Sequence, residues 1–188
     1  MTGATVRALA VFCGSSDGRV PAYRQAAVDL ADQLVARDIT LIYGGAQVGL
    51  MGVVADRTLA GGGRVTGVIP GHMADREVAH GGLTELVVVD TMHERKALMA
   101  ERADGFMALP GGLGTLDELA EIVTWSLLGL HAKPIGLLNV GGYFDQLLGF
   151  FDRAVADGFV RPAQRQLVTV GTEPGRLLSR LIDGPAPG

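Results

Sequence analysis

Short apolar runs recur along the chain at Val6–Phe12, Thr40–Tyr43, Val65–Ile69, Glu85–Val89, Gly105–Leu109, Pro134–Leu138 and, more weakly, Leu167–Val170. Each has the length of a buried strand. Most of the gaps between them carry apolar residues at helical spacing: Ala22–Arg37, Gly49–Ala60, Met92–Arg102, Leu116–Leu128, Phe144–Asp157 and Pro174–Ile182. This alternation predicts βαβ units, in which helices cover both faces of a mostly parallel sheet. The expected fold is a Rossmann-like doubly wound α/β domain. No repeat, low-complexity tract or linker interrupts it, so residues 1–188 read as one domain with a frayed Gly184–Gly188 tail.

In such a sheet, ligands bind beyond the carboxyl ends of the strands, where strand order reverses. Three glycine-bearing loops fall at strand ends. Cys13-Gly14-Ser15-Ser16 offers backbone N–H groups and two hydroxyls, and reads equally as a phosphate or base contact or as an ordinary polar turn. Gly44-Gly45-Ala46-Gln47-Val48-Gly49-Leu50-Met51-Gly52 permits a tight turn and close helix packing as well as ligand approach.

The third loop, Pro110-Gly111-Gly112-Leu113-Gly114-Thr115-Leu116-Asp117-Glu118, is the most informative. It joins an apolar strand to an amphipathic helix expected from Leu116. Glycines let a ligand come close to the backbone, and the N–H groups and positive dipole end of a helix favour an anion such as phosphate. Thr115 and Glu118 also have the spacing of a capping box, which would make Glu118 structural. A carboxylate near a helix N-terminus is expected to remain ionised at neutral pH.

Asp90 to Met99 opens another helix after a strand and brings Arg95 and Lys96 to the same sheet edge. Neighbouring cations there suit phosphate or carboxylate, or form a solvated helix face. Lys96 and Lys133 are the only lysines, against 14 arginines.

Composition narrows the classes. A charged fraction of 19% leaves little charge to cover the surface of 188 residues and predicts an apolar oligomer interface, read as a homodimer. Net charge −4 without a basic run argues against nucleic acid. No stretch is long enough for a membrane span or a signal peptide, and the single cysteine, Cys13, read as a buried structural thiol, fits a reducing cytoplasm. His72, His80, His93 and His131 lack metal-ligand spacing and read as loop or surface residues, so no metal is expected. Neither a dinucleotide fingerprint in the first βα turn nor a Walker phosphate loop is present.

The pairing of P-G-G-x-G-T-x-x-E with an upstream M-x-E-R-K resembles the Lonely Guy (LOG) family of cytokinin riboside 5'-monophosphate phosphoribohydrolases. The likeness extends to Tyr43-Gly44-Gly45, Gly49 to Gly52, Thr124-Trp125, Lys133-Pro134 with Leu137-Leu138-Asn139, and Gly142 to Asp145, covering roughly residues 6 to 160. It implies hydrolysis of the N-glycosidic bond of an N6-substituted AMP to free base and ribose 5-phosphate, without a cofactor. By motif it implies Arg95 and Glu118 as the catalytic pair. Lys96, Gly112, Leu113, Gly114, Thr115, Leu116 and Asp117 would lie at the nucleotide, with Glu77 and Thr124 also touching substrate; Met92, Gly111 and the strand-end loop residues Gly14, Ser15, Gly44 and Gly45 are further candidate contacts at the same sheet edge. The family's P-R-E tripeptide reads Asp75-Arg76-Glu77 here, and its usual penultimate glutamate is Asp117.

The residues permit that chemistry. N-glycoside cleavage passes through a ribosyl cation, which a carboxylate can stabilise while it orients or deprotonates water. Arg95 stays protonated and suits orientation and anion binding. The rivals are a broader AMP or nucleotide phosphoribohydrolase, a non-catalytic carrier of the same fold, and pyridoxal phosphate chemistry at one of the two lysines, which no other feature supports.

Overall fold

A computed structural model describes residues 6–74 and 78–184. Its strands are β1 (Ala8–Phe12), β2 (Thr40–Tyr43), β3 (Val65–Pro70), β4 (Glu85–Val89), β5 (Gly105–Ala108), β6 (Ile135–Leu138) and β7 (Val168–Gly171). They form one parallel sheet in the order β4-β3-β2-β1-β5-β6-β7. The helices are α1 (Pro21–Ala36), α2 (Gly49–Ala60), the single turn α3 (Gly71–Met73), α4 (Met92–Arg102), α5 (Leu113–Leu127), α6 (Asp145–Ala156), α7 (Pro162–Arg165) and α8 (Pro174–Asp183). The doubly wound parallel architecture expected from the sequence is therefore present.

Strand alternation sends successive side chains to opposite faces. From β1, Leu9 and Val11 join α1, α2 and α8 through Leu30, Leu34, Val54 and Leu177. Ala10 and Phe12 join α4 and α5 through Met99, Leu119 and Ile122 on the other face. Central strands buried on both sides explain the continuous apolar runs.

Strand order reverses between β1 and β5, which pair with Phe12 opposite Ala108. The two chains leaving this point are Cys13-Gly14-Ser15 and Leu109-Pro110-Gly111. They remain joined, since Gly14 N–H donates to Pro110 O at 3.1 Å. The α2 loop is tied in as well: Met51 N–H donates to Gly14 O at 3.3 Å. Gly49, at φ 58°, lies so close to the Ser15–Ser16 backbone that a Cβ would overlap it. All three glycine loops thus meet at the switch point.

Two expectations shift. α5 begins at Leu113, three residues before the expected start, because Gly112 takes the extended N-cap conformation. Its first helical bond is Leu116 N–H to Gly112 O. Glu118 therefore falls in the second turn, and no side-chain cap bond forms, so the capping-box reading fails. The short α7 and a 3-10 turn at Val140–Gly142 were not anticipated, as each is too brief to show a period.

Candidate functional site

Helices α4 and α5 deliver the two central side chains to the sheet edge. Thr91 caps α4 by accepting from Glu94 N–H at 3.1 Å, while the Glu94 carboxylate accepts from Asp90 N–H at 2.9 Å. The threonine cap, with the Glu94 carboxylate reaching back to the residue before it, fixes the first turn from which Arg95 projects. Glu118 projects from α5, and Arg95 Nη2 lies 3.4 Å from Glu118 Oε1, with each side chain 9% exposed.

They share a cavity of about 310 Å³ with Cys13, Ser15, Met51, Met73, Met92, Gly112, Leu113, Gly114, Thr115 and Asp117. Arg95 is poorly satisfied for a buried cation. Its Nη1 faces Met92 Sδ at 3.7 Å and its buried Nε has no partner among the described residues. Burial pushes the Glu118 carboxyl up to about 7, against the pull of Arg95 and with Asp117 adding to the rise. The expectation of a carboxylate fully ionised at neutral pH is corrected accordingly: Glu118 sits beyond the first turn, and desolvation outweighs the helix dipole. The Cys13 thiol is pushed up by burial and by Glu118, which makes it a poor nucleophile.

The glycines divide by role. A Cβ on Gly112 or Gly114 would meet nothing within 4 Å, so ligand can approach those two directly. A Cβ on Gly111 would overlap Thr115 Oγ1 and sit 2.8 Å from Gly14 N, so Gly111 serves packing. N–H groups from Gly112 to Thr115 precede the first helical bond and have no helical carbonyl to serve. Beside them is a second pocket of about 240 Å³, lined by Gly14, Ser15, Ser16, Tyr23, Gly111, Gly112 and Tyr143 among others, and Tyr143 donates its hydroxyl to Gly111 O. Ser15 and Gly112 border both spaces.

Several expected contacts lie elsewhere. Lys96 does not line the cavity: its Nζ is held by Asp117 Oδ2 at 2.9 Å and Glu121 Oε2 at 3.2 Å. Leu116 and Thr124 face an apolar groove on the outer side of α5, where Thr124 Oγ1 donates back to Ala120 O. Gly44 and Gly45 border neither pocket; Gly44 lies against Arg95, and Gly45, at φ 76°, packs on Ile69. Glu77 lies outside the described residues. His80 is buried rather than superficial, with Nε2 2.8 Å from Asp56 Oδ1 and Nδ1 accepting from Gly82 N–H at 3.0 Å. Met51, Met73 and Tyr143 went unpredicted as lining residues; for Tyr143 the signal was the Gly142 to Asp145 stretch.

This site at a parallel switch point belongs to the class of Rossmann-like α/β proteins. Solved structures agree. The molybdenum cofactor binding protein from Rippkaea orientalis superposes with TM-score 0.69 at 20% identity, covering 92% of this chain and 93% of that one. The Moco carrier protein of Chlamydomonas reinhardtii gives 0.68 at 22%, covering 93% and 98%. Sequence comparison is more specific. A family described as "Possible lysine decarboxylase" matches residues 51–181. A probable cytokinin riboside 5'-monophosphate phosphoribohydrolase of Oryza sativa subsp. japonica is 52% identical over 93% of this chain and 77% of its own length. A cytokinin riboside 5'-monophosphate phosphoribohydrolase of Arabidopsis thaliana is 48% identical over 96% and 84%. The chain belongs to the LOG family.

The decarboxylase wording implies pyridoxal phosphate on a lysine. The residues do not fit that group. Lys96 is engaged by two carboxylates, and Lys133 Nζ donates to Ala100 O and Glu101 O at the end of α4.

Proposed function

We propose that this protein hydrolyses the N-glycosidic bond of N6-substituted adenosine 5'-monophosphates, releasing the free base and ribose 5-phosphate. The observation that carries the reading is the buried Arg95–Glu118 pair facing a cavity beside the N-terminus of α5. The names of relatives near 50% identity support the same reaction.

In this mechanism the 5'-phosphate binds at the Gly112–Thr115 N–H groups, with Gly112 and Gly114 permitting its approach. The bond from C1' to the base breaks with its electron pair leaving on the base. Ionised Glu118 stabilises the cationic sugar and takes a proton from the attacking water, whose oxygen bonds C1'; the leaving base takes one proton from solvent, and Glu118 releases its proton to solvent to close the cycle. Arg95, whose Nε has no partner among the described residues, orients Glu118 or binds substrate oxygens. Glu118 near 7 holds a substantial ionised fraction at neutral pH and returns its proton readily.

The functional unit in this reading is a homodimer of the reducing cytoplasm, consistent with unpaired Cys13. Helix α6 buries none of its residues in the single chain, Phe150 is 65% exposed, and an apolar groove of about 540 Å³ runs between α5 and α6. A second copy would cover it. Leu116 on the groove adjoins Leu113 to Thr115 on the cavity, so this interface would reach the site's rim.

The direct test gives purified protein isopentenyladenosine 5'-monophosphate, AMP and the unphosphorylated riboside, and measures free base and ribose 5-phosphate. Cleavage of the monophosphate but not the riboside is expected. Faster cleavage of AMP would shift the reading to a general nucleotide phosphoribohydrolase, and tight binding without cleavage to a carrier.

A further inference from the structure

We propose that Gly44 is a positioning residue: its missing side chain is the socket that lets the Arg95 guanidinium reach Glu118. The proposal rests on the catalytic reading above and gives the second glycine-bearing loop a role other than ligand contact.

Gly44 follows the last residue of β2, Tyr43. Its backbone does not adopt the left-handed conformation, so glycine is not required there by φ. What excludes a side chain is Arg95. A Cβ at position 44 would overlap Arg95 Nη2 and lie 2.9 Å from its Cζ, with Met51 Sδ next at 3.2 Å. The same Nη2 approaches Glu118 Oε1 at 3.4 Å. One nitrogen is therefore confined between the backbone at the end of β2 and the carboxylate on α5. Among the described residues Nε has no partner and Nη1 lies against a thioether, so no strong hydrogen bond from them fixes the guanidinium, and shape does the positioning.

The obstacle is the far end of a flexible side chain, not backbone. An alanine can be accommodated by swinging Arg95 away, so Gly44→Ala should fold while losing the pair. Gly45 differs: at φ 76° it is needed for conformation, and it packs on Ile69 and on Gly67 of β3. Of the two adjacent glycines, one shapes the loop and the other leaves space for the arginine.

The test is a cycle of Gly44→Ala, Arg95→Ala and the double variant, read by thermal melting and by the pH dependence of turnover with an N6-prenyl adenosine monophosphate. Gly44→Ala alone should lower kcat by about 10- to 100-fold, an effect on the order of a misplaced catalytic group. It should also move the acidic limb of the pH–rate profile to higher pH, because the cation that pulls the Glu118 carboxyl down has moved away. In the Arg95→Ala background the same alanine should change kcat by less than about twofold, since there is no guanidinium left to displace. Equal losses in both backgrounds, or a wild-type rate and pH profile for Gly44→Ala, would overturn the proposal. Should Gly44→Ala fail to fold, the double variant decides: recovery of a cooperative melt when Arg95 is removed supports the socket, and continued failure refutes it. If the wild-type protein cleaves no nucleotide, the catalytic reading falls, whereas the melting comparison still tests the contact between Gly44 and Arg95.

Discussion

Arg95 Nη2 stands 3.4 Å from Glu118 Oε1, with both side chains nine-tenths hidden from water. A relaxed charge-assisted hydrogen bond would close to about 2.7–2.9 Å. The gap persists because the partners descend from different helices, α4 and α5, each anchored to the sheet by its own apolar residues, Met99 and Leu119. Neither charge is fully neutralised by the other. A substrate can therefore compete for both without first breaking a tight bond.

The first prediction concerns pH and rate. Burial raises Glu118 to about 7, so kcat/KM in the free enzyme should fall below neutrality with an apparent pKa near that value, as the required carboxylate becomes protonated. Arg95→Ala removes the neighbour that lowers it. The limb should move to higher pH and turnover should drop by roughly 100-fold or more. A flat profile between pH 5 and 8 would remove Glu118 as the base.

The same group should tilt stability. Its folded value of about 7 lies above the ordinary 4.5, so the native state holds a proton that the unfolded chain has released. Its contribution is present below the unfolded value and is lost as pH rises through the folded one. At about 1.4 kcal/mol per unit, Glu118→Gln should gain roughly 2–3 kcal/mol relative to wild type between pH 5 and pH 8. Denaturant melts of both proteins at the two pH values measure this. Glu118→Gln should also retain nucleotide binding while turnover is nearly abolished.

Lys96 gives a prediction on which the sequence and structure part. Sequence resemblance puts it at the nucleotide, whereas its ammonium is held between Asp117 and Glu121. Asp117 raises Glu118 and Lys96 lowers it. Lys96→Ala should therefore raise the apparent pKa of the acidic limb and lower kcat severalfold at neutral pH, leaving KM nearly unchanged. A large rise in KM with an unaltered pH profile would return Lys96 to the phosphate.

Which features the sequence revealed follows from the range of each interaction. Strand and helix periods are local, so the parallel sheet and the principal helices were legible, as was the glycine corner ending at Glu118. The start of α5 was not, because the cue depended on the extended conformation of Gly112 rather than on the Thr115–Glu118 spacing. The close packing of Gly111 was not legible either, because its neighbour Gly14 arrives from β1. Proximity of Gly44 to Arg95 depends on β2, α4 and the sheet order together, which no local window contains. The ionisation of Glu118 was misjudged for the same reason, since desolvation is a property of the assembled core.

The last prediction tests the outer face. Low charge, at 19% of residues, pointed to a covered apolar surface, and Phe150 on α6 is 65% exposed beside the groove lined by Leu116, Val123 and Leu147. A side chain so exposed in the single chain contributes little to folding, so Phe150→Glu should alter monomer stability by only about 0.5 kcal/mol. Placed in an apolar interface between copies, the same carboxylate would be buried without a partner and would oppose association strongly. Light scattering should then report a dimer for wild type and a folded monomer for Phe150→Glu. Because the groove adjoins the cavity through Leu113 to Leu116, nucleotide turnover per chain should fall with dissociation. A variant that remains dimeric would place the interface elsewhere, and a monomer with full turnover would mean that one chain completes the site alone.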